Sequence, residues 1–196
     1  MTDPKGIRLT DPQALRAYAH PTRMALVGLL RAEGPFTATR AAELTGESVA
    51  SCSYHLRMLA KYGLVEEAEG GRGREKPWRA TAQFTDVPGT HEDPAVAEAA
   101  TATLRVMLQS YFERAARAVE TRHQLPPAWR DGEQFGDALL YVTPEELAAL
   151  SEQIEALLTP YSDRMRHPER RPEGAGLVQL LHIAYLYRRP EGEPDA

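Results

Sequence analysis

Between Thr37 and Gly63 two short helical patterns meet across a glycine turn, and few folds accommodate that arrangement. Residues 37–44 (TATRAAEL) read as a short helix stopped by Thr45 and Gly46. From Ser48 to Tyr62, Val49, Cys52, Leu56 and Leu59 recur at intervals of three and four, the spacing that lays one apolar stripe along a helix. Ser51, Tyr54, His55 and Arg57 fall on the remaining faces, and Gly63 supplies the stop. Two short helices around a tight turn, the second with its polar face uncommitted, spell a helix-turn-helix. The second helix of such a unit fits the width of the DNA major groove.

The flanks extend the pattern. Asp11 and Pro12 form a helix start, and Leu15, Ala19, Leu26, Leu29 and Leu30 mark an apolar stripe that runs to Gly34-Pro35, with a bend expected at His20-Pro21. After Gly63, residues 64–69 and 78–81 are strand-like, and the link 70–77 combines turn glycines with Arg72, Arg74 and Lys76. A basic hairpin beside a recognition helix is a DNA wing, here spanning 65–81. Three cations among three glycines point to phosphate contact.

A polar linker over 83–92 leads to a long helix over 93–122, with Leu104, Met107, Leu108, Tyr111, Phe112, Ala115 and Val119 on one face. A stripe of that length needs a partner, so Leu104, Leu108, Tyr111, Phe112 and Ala115 are candidate dimer contacts. Pro126-Pro127 breaks the chain, and 135–142 reads as a strand. Thr143 to Glu146 is a capping box opening a helix with Leu147, Leu150, Ile154, Leu157 and Leu158 on one face, ending at Thr159-Pro160. Residues 177–187 alternate into a strand apolar on both faces. The expected architecture is α+β: a winged helix-turn-helix over 1–84, a dimerisation helix over 93–122, and a small C-terminal α/β unit over 123–196.

Charge follows this division. The net charge of −5 hides 12 Lys+Arg against 9 Asp+Glu in residues 1–84, and 11 against 19 in residues 85–196. A mildly basic half joined to an acidic one fits a nucleic-acid module attached to a unit that does not touch phosphates. A single cysteine excludes an internal disulfide and any multi-cysteine zinc site. With no apolar run of membrane-spanning length and no signal-peptide pattern at the N-terminus, the expected compartment is the cytoplasm.

The stretch from Leu15 to Arg23 (LRAYAHPTR), with Leu26, Leu29 and Leu30 behind it, then Ser53 to Leu56 (SYHL) with Leu59, then Gly63-Leu64-Val65, resembles the ArsR-like winged-helix transcriptional regulators. Residues 47–57 followed by 71–79 are similar to an actinobacterial branch of that family with an added C-terminal region. The resemblance implies a homodimeric DNA-binding regulator on a palindromic operator, with repression as the family habit. It also implies that Ser48, Ser51, Tyr54 and His55 face base edges and backbone while the wing straddles phosphates. The candidate DNA-binding set is therefore Thr39, Arg40, Ser48, Ser51, Tyr54, His55, Arg57, Arg72, Arg74 and Lys76.

Other signals have plainer readings. Cys52 and His55 lie three apart on one helix, but two ligands do not make a metal site, and metal sensors of the family carry cysteine pairs where Cys52 stands alone. A buried thiol and a surface histidine suffice, and no metal or cofactor is expected. His20 reads as structural, and His182 as a core histidine in an apolar strand. Tyr111, Phe112, Trp129, Phe135, Tyr141 and Tyr185 are candidates to line a pocket for a small apolar effector, or else fill the core. No nucleophile-base grouping, phosphate loop or HExxH run is present, so catalysis is not expected. The rival reading keeps the fold as a protein-interaction adaptor whose C-terminal unit docks another protein.

Overall fold

The computed structural model describes residues 6–70 and 76–188. The N-terminal half is built on four helices: α1 (Pro12–Tyr18), α2 (Pro21–Glu33), α3 (Ala38–Thr45) and α4 (Val49–Lys61). Asp11 caps α1 through its side chain, and Pro12 and Pro21 occupy first-turn positions of α1 and α2, where a missing N–H costs nothing. The expected bend at His20-Pro21 is a complete break into two helices. Thr37 and Ser48 cap α3 and α4, and Gly46 closes α3 in the left-handed region at φ 74°.

Leu15, Leu26, Val27, Cys52, Leu56, Leu59 and Leu64 are fully buried together. The wing pairs β2 (Val65–Glu67) antiparallel with β3 (Trp78–Ala80), and Phe36 bridges to Trp78 on the other side of β3. Its tip, residues 71–75, lies outside the described residues.

The polar linker expected over 83–92 contains a strand, β4 (Phe84–Asp86), paired in parallel with an N-terminal strand, β1 (Gly6–Arg8). Three-residue strands carry too short a pattern to be read from alternation. The Phe84 ring lies over Gly6, so a side chain there would have to displace this exposed ring. Arg31 of α2 ties the same linker down, with Nε donating to Ala82 O and Nη2 to Thr85 Oγ1, both at 2.8 Å.

The long helix, α5 (Pro94–Thr121), lies against α1 through small residues. Ala99, Ala100 and Thr103 are buried there, and the Thr103 hydroxyl lies 2.7 Å from Ala99 O in its own helix and 3.1 Å from Leu15 O in α1. The cover thins along α5: Ser110 is still buried, but Phe112 is 60 % exposed and Val119 is exposed too.

The α+β class holds, through helices and two small sheets, but the C-terminal strands do not form. Residues 135–142 and 177–187 have no regular secondary structure, because a strand is completed only by a second backbone and none pairs with either segment among the described residues. A short helix, α6 (Pro127–Gly132), follows the double proline. The capping box at Thr143 is present, but α7 (Pro144–Arg166) continues through Pro160 instead of ending there. The proline removes one backbone hydrogen bond without ending the helix. His182 is exposed rather than in a core.

The α1–α5 contact predicts a size limit at Thr103. Thr103→Leu should overfill it and lower stability by about 1–3 kcal/mol, whereas Thr103→Ser, which keeps the hydroxyl, should lose only about 1 kcal/mol. Urea denaturation of both variants checks the order, and equal losses would remove the small-residue explanation of this contact.

Candidate nucleic-acid interface

The inner face of α4 is committed to the core by Cys52, Leu56 and Leu59, so its outer face is set by rotation alone. Ala50, Tyr54, Arg57 and Lys61 follow one another at spacings of three and four and are all exposed, with Tyr54 at 54 %. Arg57 has no salt-bridge partner among the described residues, while Lys61 lies 5.2 Å from the Tyr62 ring centroid. The result is a stripe of one aromatic and two cations along a helix of thirteen residues.

The sequence-derived candidates divide. Tyr54 and Arg57 lie on this stripe. Ser48 is exposed, but its Oγ accepts the Ser51 N–H at 3.1 Å as the helix cap, so it anchors the helix start. Ser51 is half-buried. On α3, Thr39 and Arg40 are exposed, and Arg40 Nη1 reaches Glu43 Oε2 at 2.8 Å with Glu33 nearby. Val49, expected in the apolar stripe, is instead 45 % exposed. As the first helical residue after the cap it precedes the turn that packs inward, so its side chain joins the outer face.

His55 turns aside from the stripe. Its ring packs on His20, with centroids 4.7 Å apart, and meets Tyr54 edge-on at 5.3 Å. Burial lowers the pKa of both histidines, reinforced by Arg23, while Glu47 opposes the shift weakly. The Nδ1 atoms of both rings and Nε of Arg23 are buried without a protein hydrogen-bond partner. This cluster of His20, Arg23 and His55 joins the start of α2 to the middle of α4. Spacing along the chain could not reveal it, because its members lie 35 residues apart and only the packing of α2 on α4 brings them together.

The described part of the wing is electrically neutralised within itself. Lys76 Nζ lies 2.5 Å from Glu67 Oε2, and Arg79 Nε lies 2.8 Å from Glu66 Oε1. Arg72 and Arg74 lie outside the described residues. Cys52 is fully buried, with its sulfur 3.5 Å from the Thr45 hydroxyl.

The candidate dimer and pocket residues lie on the far side of α5 and beyond it. Leu104, Leu108, Tyr111 and Ala115 are half-buried, and burial raises the Tyr111 pKa. Phe112, Trp129, Phe135, Tyr141 and Tyr185 are exposed, Tyr141 completely, and within one chain they are open to solvent rather than enclosing a cavity.

Residues 18–68 match the helix-turn-helix domain family. The match runs from the end of α1 through α2, α3, α4 and β2, and so contains both the exposed stripe and the histidine pair. No curated protein matches the chain. Among solved structures, an apo form of a double mutant of Lactococcus lactis ZitR is similar at 19% identity and a TM-score of 0.30, covering 74% of this chain and 86% of that one. A score that low leaves the fold resting on the elements described above. No helix among the described residues is long and apolar enough to cross a membrane.

The histidine pair predicts an acid-sensitive domain. Both imidazoles titrate below their unfolded value of about 6.5, so as pH falls through that value the unfolded chain binds protons first. Stability is therefore full above about pH 6.5 and declines as the pH drops towards the folded pKa values. Thermal unfolding followed from pH 7.5 to 5 should show this decline, and a His20→Asn/His55→Asn variant should show less of it. An identical slope in the variant would assign the acid sensitivity elsewhere.

Proposed function

We propose that this chain is a homodimeric, sequence-specific DNA-binding transcriptional regulator. One observation carries the reading: α4 presents an exposed stripe, with Tyr54 and Arg57 at its centre, on a helix whose opposite face is locked into the core. A helix held so rigidly can enter a major groove without losing order, and its side chains then meet base edges. Tyr54 and Val49 are suited to base contact, the latter to a thymine methyl, and Arg57 to a guanine edge or a phosphate. Lys61, together with Arg72, Arg74 and Lys76 of the wing over 65–81, supplies backbone contacts. Thr39, Arg40, Ser48 and Ser51 support the docking at the helix starts, and His55 positions Tyr54 rather than touching bases.

In this reading, residues 1–84 are the DNA-binding domain and 93–122 the helix that pairs two protomers through Leu104, Leu108, Tyr111, Phe112 and Ala115. Residues 123–196 are a supporting or regulatory unit. Pairing two recognition helices about a two-fold axis matches a palindromic operator. Repression is the mode that the resemblance to ArsR-like regulators suggests, and a small apolar effector is the ligand class that the aromatic groups of the C-terminal unit would take.

A protein-interaction adaptor is the second reading, and one observation favours it. Lys76 and Arg79 are already held by Glu67 and Glu66, so the described wing carries no uncompensated positive charge. DNA footprinting across the chain's own promoter region separates the two, since an adaptor protects no sequence.

On a footprinted site, Tyr54→Ala should weaken binding by about 1–3 kcal/mol and relax base preference. Lys61→Ala should weaken all sequences alike and reduce the salt dependence by about one unit of slope. Fluorescence anisotropy on specific and scrambled duplexes checks both, and indistinguishable behaviour of the two variants would place α4 outside the groove.

A further inference from the structure

We propose that the C-terminal region of this chain is half of a two-chain structure, in which the strand-patterned segments 135–142 and 177–187 pair with those of a second copy into β-structure that neither chain forms alone. This deepens the dimeric part of the reading above and rests on it.

The first observation is backbone without partners. None of the backbone hydrogen bonds among the described residues involves 134–142 or 176–188. Unpaired N–H and C=O groups along an apolar extended segment are a template for strand addition. The side chains are equally bare. Successive residues of a strand point to opposite faces, yet Leu139 and its neighbour Leu140 are 76 % and 64 % exposed, and Leu186 and its neighbour Tyr185 78 % and 72 %. Both faces of each segment lack cover.

The second observation is surface area. A folded monomer of 21.8 kDa should expose roughly 9,300 Å², whereas this chain exposes 14512 Å². Allowing the eighteen residues outside the description the full surface of an extended chain, roughly 2,900 Å², the excess is still roughly 2,300 Å² per chain. Two such chains closing on each other would bury the area typical of obligate homodimers, in the range of roughly 2,000–5,000 Å².

Charge and continuity select a second copy as the occupant. Residues 85–196 are acidic, but 177–187 contain no Asp, Glu, Lys or Arg, and 135–142 contain only Asp137. Two copies can therefore meet along these segments without bringing their acidic surfaces into register. A two-fold axis pairs identical segments antiparallel and requires no other sequence. Gln179 also adjoins the second half of α5: Arg114 Nε donates to Gln179 Oε1 at 3.3 Å, on the helix that bears the exposed Phe112. The stripe of α7, half-buried at Leu147, Leu150, Ile154 and Leu158, provides a further face for the same interface.

The test combines sedimentation equilibrium with amide hydrogen exchange on the full-length protein without DNA, so that a failure here leaves the DNA-binding reading to its own footprinting experiment. The expected result is a dimer in which amides of both 135–142 and 177–187 are protected at least about 100-fold over unpaired backbone, as ladder hydrogen bonds require. Ile183→Pro, which removes an N–H and blocks a strand edge, should raise the dissociation constant at least about 100-fold and expose both segments together. Ile183→Lys, which leaves the backbone intact, should do the same through charge. Retained protection in α1 to α4 in the same exchange data confirms that the variants are folded. A monomer at every concentration overturns the proposal. So does a dimer whose two segments exchange freely, which would leave α5 alone as the interface, or protection that arises only in complex with a different protein.

Discussion

The burial of Cys52, Leu56 and Leu59 against α2 is the interaction on which the rest of the N-terminal half depends. Fully burying a leucine side chain contributes about 1.5–3 kcal/mol, and two leucines on one short helix are enough to fix its rotation. That rotation decides the outer face: it lays Tyr54, Arg57 and Lys61 in a row and turns His55 towards His20. The caps at Thr37 and Ser48 and the left-handed Gly46 then set how α3 and α4 meet, because each satisfies helix-end groups that a tight turn would otherwise bury unpaired. The interface is thus a consequence of the core rather than a separate construction.

A second constraint acts through α1. Its contact with α5 is made by Ala99, Ala100 and Thr103, residues small enough for the two helices to approach closely, and Arg31 fastens the segment between wing and α5 to α2. The helix-turn-helix half and the long helix are therefore coupled through packed side chains and two charge-assisted hydrogen bonds.

Electrostatics sharpen the division of labour. The excess of basic over acidic residues lies before residue 85 and the acidic excess after it, but ion pairs within the wing and on α3 consume part of the positive share. Arg57 on α4 keeps no such ion pair among the described residues. The acidic C-terminal region contains long uncharged stretches suited to burial.

The helix-turn-helix, the wing strands, the long helix and the capping box were all legible in the sequence, because each is specified locally: by three-and-four spacing, by a cap residue, or by a glycine at a turn. The tertiary structure decided what depends on contacts between distant residues. The β1–β4 pair joins segments nearly eighty residues apart and has three residues a side, so no alternation announces it. His20 and His55 meet only because α2 packs on α4, and Val49 faces outward because of where the helix begins relative to that packing. At 135–142 and 177–187 the apolar pattern predicts strands that are not formed among the described residues, because alternation marks a segment but a strand also needs a second backbone to pair with.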